Sequence, residues 1–276
     1  MLGGNYFGQL GNGAGADSTN PVLVPGMTNV VKIAAGTDHT CALRANGRLF
    51  CWGLNSEGQL GDGTVSNATL PNPANGRGYI DIAAGQQHTC AVLNNGRVRC
   101  WGANGFGQLG DNSTTDSPVP VNVRRLNDAV AVSAGQRHTC AIRSNDRVRC
   151  WGNNQFGQLG DGTNTTQLRP VPVQGSRQVT HLELGALHSC ILTANGRSQC
   201  WGLNTYGQLG DRTTANKNTP VNIWRMANAS SIAAGENHSC AINSNGVVRC
   251  WGFNFQGQLG DGTNTNKLEH VRVRLP

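Results

Sequence analysis

Ten cysteines and seven histidines are the residues of this 276-residue chain best suited to chemistry, and most of them recur on one spacing. The cysteines fall into five pairs: Cys41/Cys51, Cys90/Cys100, Cys140/Cys150, Cys190/Cys200 and Cys240/Cys250. Two residues before the first member of each pair stands a histidine: His39, His88, His138, His188 or His238. A His-x-Cys pair invites a zinc reading, because thiolates and imidazoles at short spacing are zinc ligands. The gap between the two cysteines of a pair is longer than the usual ligand spacing. Three readings are therefore open: cross-strand disulfides, packed free thiols and a metal site.

The segment between the cysteines weighs these readings. In the first pair it is centred on Ala45-Asn46-Gly47, which suits a three-residue hairpin loop with the glycine in the left-handed region. Counting outward, Arg44 then faces Arg48, Leu43 faces Leu49, Ala42 faces Phe50 and Cys41 faces Cys51. The cysteines land on a non-hydrogen-bonded pair, where Cα atoms of antiparallel strands lie about 4.5 Å apart, within disulfide reach. Asp146 replaces the glycine in the third hairpin, and Asp is one of the few other residues that tolerates this conformation. The register favours disulfides, each contributing about 2–3 kcal/mol on the chain-entropy model. Persistent disulfides imply an oxidising compartment: extracellular, periplasmic or cell-surface.

The five histidines in register read as structural hydrogen-bonding residues, since equivalent atoms of successive repeats lie too far apart to share one ion. The tryptophans that follow the second cysteines (Trp52, Trp101, Trp151, Trp201 and Trp251) read as packed residues with satisfied indole N–H groups. Asp-Gly-Thr segments such as Asp62-Gly63-Thr64 are turn chemistry and lack the alternating ligands of a calcium loop. No GxSxG elbow occurs, and no glycine-rich fragment has the strand–helix setting of a dinucleotide site. No cofactor and no catalytic set is expected.

The elements that must position these residues are set by a repeat. The tetrad Gly-Gln-Leu-Gly begins at Gly8, Gly58, Gly107, Gly157, Gly207 and Gly257. Each full unit of roughly fifty residues reads as four short strands. The first is an apolar run such as Ile80–Ala84 or Val130–Ala134; the second and third are HTCAV and RVRCW. The fourth lies in proline-containing segments, Pro21–Val24, Pro170–Val173 and Pro220–Ile223, since proline favours a strand start or sheet edge. Helical periodicity is absent. The fold class is all-β, a β-propeller of four-stranded blades, with a partial repeat at 1–29 and repeats at about 30–78, 79–128, 129–178, 179–228 and 229–276.

Charge and hydropathy narrow the partners. The formal net charge is +7, from 19 Arg and 3 Lys against 15 acidic residues. The arginines are spread through the repeats without a basic tail, so solubility is favoured over nucleic-acid binding. No apolar stretch is long enough to span a bilayer as a helix. Against the constant frame, two sets of positions vary. In the NxxGQLG loops, aromatics occupy Tyr6, Phe7, Phe106, Phe156, Tyr206 and Phe255, either as caps on a blade or as a binding rim. Before the histidines stand Gln87, Arg137, Leu187 and Asn237, which suit solvent-facing recognition loops.

The frame GxxHTCAL…NGRVRCWGxNxxGQLGDGT resembles the repeat of the regulator-of-chromosome-condensation family across nearly the whole chain, and its paired cysteines are similar to those of crinkly-type receptor ectodomains. The resemblance implies a propeller, commonly of seven four-stranded blades. Members include a nuclear exchange factor for a small GTPase and a secreted β-lactamase inhibitor, so the resemblance implies a fold more firmly than a function. The exchange factor's basic tail and wedge insertion have no counterpart here. The reading is a non-enzymatic platform recognising a macromolecular partner, a protein first, through its rim loops. The alternatives are a carbohydrate-binding propeller and an exchange factor or chromatin binder. Residues 5–27 and 254–276 share one phase, which leads to the expectation that the chain is the C-terminal portion of a longer secreted protein or the product of a mis-started gene.

Overall fold

The structure, a computed structural model, describes residues 1–274. Among them are 20 strands and no helix. The first blade contains β1 (Val30–Ala35), β2 (His39–Arg44), β3 (Leu49–Gly53) and β4 (Ala68–Pro73). The second contains β5 (Tyr79–Ala84), β6 (His88–Leu93), β7 (Val98–Gly102) and β8 (Ser117–Asn122). In the third are β9 (Ala129–Ala134), β10 (His138–Arg143), β11 (Val148–Gly152) and β12 (Gln167–Pro172). The fourth has β13 (Val179–Leu184), β14 (His188–Thr193), β15 (Ser198–Gly202) and β16 (Lys217–Asn222). The fifth has β17 (Ala229–Ala234), β18 (His238–Asn243), β19 (Val248–Gly252) and β20 (Lys267–Arg272). Each blade is one four-stranded sheet with its strands in sequence order, the pattern of a β-propeller blade.

The hairpin register follows from the turn. Arg44 N–H donates to the Arg48 carbonyl at 2.9 Å, and Gly47 has φ +73°, so the loop is three residues long. Leu43 then pairs Leu49, Ala42 pairs Phe50 and Cys41 pairs Cys51. The third hairpin makes the same turn with Asp146 at φ +58°. All ten cysteines are joined as expected: Cys41–Cys51, Cys90–Cys100, Cys140–Cys150, Cys190–Cys200 and Cys240–Cys250, with Cα separations of 4.0–4.1 Å.

The fourth strand sits at the sheet edge, where a proline costs no ladder bond, and its register slips next to the Trp-Gly pair, as between Cys51 and Gly53. One expected strand is missing. Pro21–Val24 forms none, because residues 1–29 contain no Cys-Trp-Gly strand of their own for it to pair with. Only the bridge Gly3↔Ser18 and the Met1–Val22 backbone bonds stand where Gly53↔Ala68 and Cys51↔Asn72 stand in the first blade.

The chain forms two compact units, Met1–Thr139 with Leu168–Pro170, and Cys140–Gln167 with the residues from Val171 onward. Each has its core between neighbouring blades. In the first unit, Trp101 of one blade joins a buried cluster with Cys41, Cys51, Leu43, Leu60 and Ile82. In the second, Trp251 joins Cys190, Cys200, Leu209, Ile223 and Ile232. The disulfide is therefore part of the apolar surface on which the next blade's indole packs. Burial of such large side chains is worth about 1.5–3 kcal/mol each, so the repeat stabilises mainly through the contact between blades.

Candidate partner-binding loops

In three of the blades the loops at the histidine end are built on a latch of side chains 50 or 51 residues apart. His39 Nε2 lies 2.9 Å from Thr89 Oγ1, one blade further on. Thr89 Oγ1 donates to the Gln59 carbonyl at 2.8 Å, and Trp101 Nε1 donates to the same carbonyl at 2.9 Å. Since the threonine proton is already given to Gln59, its oxygen must accept from imidazole, which places the histidine proton on Nε2. The same set recurs as His88 with Thr139 and the Gln108 carbonyl. In the second unit it recurs as His188 with Ser239, whose hydroxyl and Trp251 both donate to the Gln208 carbonyl. The Gly-x-x-His spacing makes room for the ring. A Cβ at Gly85 would overlap the His88 imidazole and the Gly135 carbonyl.

Burial sets the charge of these rings. His39 is pushed down to about 4 by desolvation. His88 is lowered to about 3 by desolvation and then by His39, and His188 to about 3 by desolvation and then by His238. Nδ1 of His39, His88 and His188 has no hydrogen-bond partner, so a second proton there would be an uncompensated buried charge. Neutral, enclosed imidazoles hold blades together and cannot meet a substrate. Among the described residues, no group of three or more His, Cys, Asp or Glu is placed to hold a metal ion.

The NxxGQLG loop is stapled from inside. Asn104 is fully buried: its Oδ1 accepts from Leu109 N–H, and its Nδ2 reaches the Ser113 and Thr115 carbonyls at 3.2 and 3.0 Å. Its own N–H donates to Asp116. Gln108 Oε1 accepts the Phe106 N–H at 2.9 Å. The equivalent bonds form around Asn5, Asn55, Asn154, Asn204 and Asn254. These buried amides fix the backbone, so the two free positions of each loop vary without changing its shape.

The structure places the sequence-derived candidates in two adjoining sets of loops. Ala103 N–H donates to the Gln87 carbonyl, Leu203 to that of Leu187 and Phe253 to that of Asn237. The residues before the histidines thus lie beside the start of the NxxGQLG loop of their own blade. The first free position is exposed and the second is half-buried in most copies. Tyr6 is 82% exposed and Phe255 61%, whereas Phe7, Phe106, Phe156 and Tyr206 are half-buried. Tyr6 packs edge-on to Phe7. Arg137 stacks on Phe106, its guanidinium 4.9 Å from the ring centroid, which joins two of the candidates. Tyr206 and Phe255 both contact Phe253, at 4.9 and 5.0 Å between centroids.

Phe253 is the residue that sequence reasoning missed. Its position in the Trp-Gly-x-Asn stretch varies as Leu54, Ala103, Asn153, Leu203 and Phe253, and that variation was the available signal. In the fifth blade it completes a cluster of three aromatics. Elsewhere the position carries no aromatic.

Repeated blades, latched by buried histidines and closed by one disulfide per hairpin, define a repeat β-propeller whose variable side chains sit on its loops. A family model described as the RCC1-like domain matches residues 1–275, and the chain belongs to that family. It is 43% identical over 72 residues to the human X-linked retinitis pigmentosa GTPase regulator, a match covering 25% of this chain and 7% of that protein. The Arabidopsis thaliana ultraviolet-B receptor UVR8 is 38% identical over 71 residues, or 25% of this chain and 16% of the receptor. The matches thus span a small part of those relatives' length.

Solved structures share the fold at lower identity. Human WBSCR16 has a TM-score of 0.84 at 24% identity, over 100% of this chain and 76% of that one. Prp20p of Saccharomyces cerevisiae scores 0.70 at 21% identity, over 99% and 85%. The CRINKLY WD40 ectodomain of the Arabidopsis receptor kinase ACR4 scores 0.53 at 18%, over 91% and 70%.

Proposed function

We propose that this chain is a non-enzymatic binding platform that takes a protein partner on the loops at the histidine end of its blades, in an extracellular, periplasmic or cell-surface setting. One observation carries the reading: a constant frame of buried Asn and Gln side chains holds loops whose outward residues differ from blade to blade. Such loops lose little conformational freedom on binding, which is how preorganised surfaces gain affinity. The contact residues are Tyr6, Phe7, Phe106 with Arg137, Phe156, Tyr206 with Phe253 and Phe255, and the neighbouring Gln87, Leu187 and Asn237. Aromatics and arginine are the side chains that dominate protein interfaces. The compartment is argued from the five disulfides and supported by the likeness to a receptor ectodomain.

A second reading, an exchange factor or chromatin binder, is favoured by the shared fold with Prp20p, a protein that binds Gsp1p and histones. It requires a protein that works reduced, which the five bridges oppose. The test uses immobilised wild-type chain and the Phe106→Ala/Phe156→Ala/Tyr206→Ala variant, each exposed to secreted proteins of the source organism and, in parallel, to a glycan array. A protein retained by the wild type and lost from the folded variant supports the proposal. Equal retention by both overturns the site, and capture of a glycan alone replaces the partner class with carbohydrate.

A further inference from the structure

Five of the six tryptophans are enclosed in the Cys-Trp-Gly strands, whereas the sixth, Trp224, is 41% exposed. It stands just after β16 in the fourth blade, at the hairpin end of that edge strand, where Ile223 N–H donates to the Ser198 carbonyl. Its own N–H donates to the Gly210 carbonyl at 2.9 Å. Two arginines flank its ring: the guanidinium of Arg212 lies 5.2 Å from the ring centroid, and that of Arg225 5.5 Å. All three residues are exposed, and all belong to the second compact unit.

The repeat does not ask for these residues. Arg212 has φ +66° and Arg225 has φ +50°, in the left-handed region that is unfavourable for a side chain with a Cβ. The counterparts of Arg212 are Gly63, Gly162 and Gly262 in three blades and Asn112 in the second, residues that tolerate this conformation. The counterparts of Trp224 are Asn75, Arg124, Gln174 and Arg274, none of them aromatic. Local strain kept where glycine would serve is a mark of a functional surface.

Charge at the cluster is one-sided. The neighbouring carboxylate, Asp211, is turned inward: its Oδ1 accepts from Asn204 and Thr213, and its Oδ2 faces Lys217 at 3.8 Å. Glu269, on the edge strand of the fifth blade, meets Arg212 Nε at 3.4 Å, with both side chains more than half exposed. Arg225 meets no carboxylate among the described residues. Two guanidiniums are thus answered by one solvent-exposed acid.

We propose that Trp224, Arg212 and Arg225 form a docking site for an acidic segment of a protein partner. A guanidinium held against an aromatic face still presents its N–H edge, which pairs with carboxylate oxygens two at a time. The ring contact also restrains two long side chains, so less freedom is lost on binding. Tryptophan and arginine are the residues that dominate protein interfaces. The site does not rest on the aromatic loops, since it lies at the other end of the strands.

The experiment follows the indole N–H signals of the intact, oxidised protein by NMR while an acetylated oligo-glutamate peptide is added at constant ionic strength. Saturable movement of the Trp224 signal is expected, with the five enclosed indoles unmoved. An oligo-glutamine peptide of the same length, sodium sulfate and a maltose oligomer should leave it in place. Arg225→Ala should weaken binding at least about tenfold, the scale of lost charge-assisted bonds. Arg212→Gly, which restores the residue of three other blades, should weaken binding similarly while the melting temperature holds or rises. That combination separates a lost docking side chain from a lost fold. A Trp224 signal that stays still with oligo-glutamate, that moves equally with the controls, or that responds undiminished in both arginine variants overturns the site.

Discussion

Acidification from about pH 7.5 to about pH 5 loads protons onto the unfolded chain but not onto the latch histidines. Free histidine titrates at 6.5, while His39 titrates at about 4 and His88 and His188 at about 3 in the fold. Between those values the unfolded state binds more protons, so stability is fully present above pH 6.5 and falls as the pH falls toward the folded values. Over this interval each ring contributes a loss of about 2 kcal/mol, and the three together about 6 kcal/mol. That is a large share of the roughly 5–15 kcal/mol by which domains are stable. Guanidinium unfolding of the oxidised protein, read by tryptophan fluorescence across this range, measures the loss. His88→Gln keeps a side-chain donor without the titration, and its pH dependence should be smaller by about 2 kcal/mol. A wild-type stability that is flat between these pH values would refute the placement of neutral, enclosed imidazoles between blades.

Three further outcomes follow from the same geometry. With every cysteine but the half-buried Cys240 enclosed, the native protein in reductant should show no labelled thiols from the first four bridges until denaturant is added, after which intact mass should report five bridges. Retaining free thiols in the untreated protein would contradict the pairing. Gly85→Ala forces a methyl into the His88 ring and the Gly135 carbonyl, and should cost about 1–3 kcal/mol in a thermal or chemical melt. Asn104→Ala strands the Ser113 and Thr115 carbonyls. It should destabilise by about 1–3 kcal/mol and make residues 104–116 the first site of limited proteolysis.

The parts legible in the sequence were those set by local geometry. A glycine or aspartate at the third position of each turn fixes the loop length, and the loop length alone pairs Cys41 with Cys51. The histidines could be seen to be structural, but not that His39 reaches Thr89, because that contact depends on how one blade is rotated against the next. Pro21–Val24 has the composition of its counterparts Pro170–Val173 and Pro220–Ile223 yet forms no strand and keeps only the Met1–Val22 backbone bonds, since an edge strand is made by its neighbour rather than by its own residues. The aromatics of the NxxGQLG loops could be named from variation alone. Their depth could not: Tyr6 and Phe255 stand exposed, while Phe106 and Tyr206 lean on Arg137 and Phe253. The Trp224 cluster escaped notice because Arg212 and Arg225 belong to different strand connections, and only the fold brings both guanidiniums to one ring.

Hydrogen exchange of the chain, free and bound to a protein captured on its loops, tests the binding-platform account most directly. The account predicts that protection on binding concentrates in residues 104–108, 136–137, 204–208 and 253–256, with the hairpin turns and β4-type edge strands unchanged. Protection confined to the hairpin turns or the edge strands, with those loops exchanging as in the free protein, would contradict it.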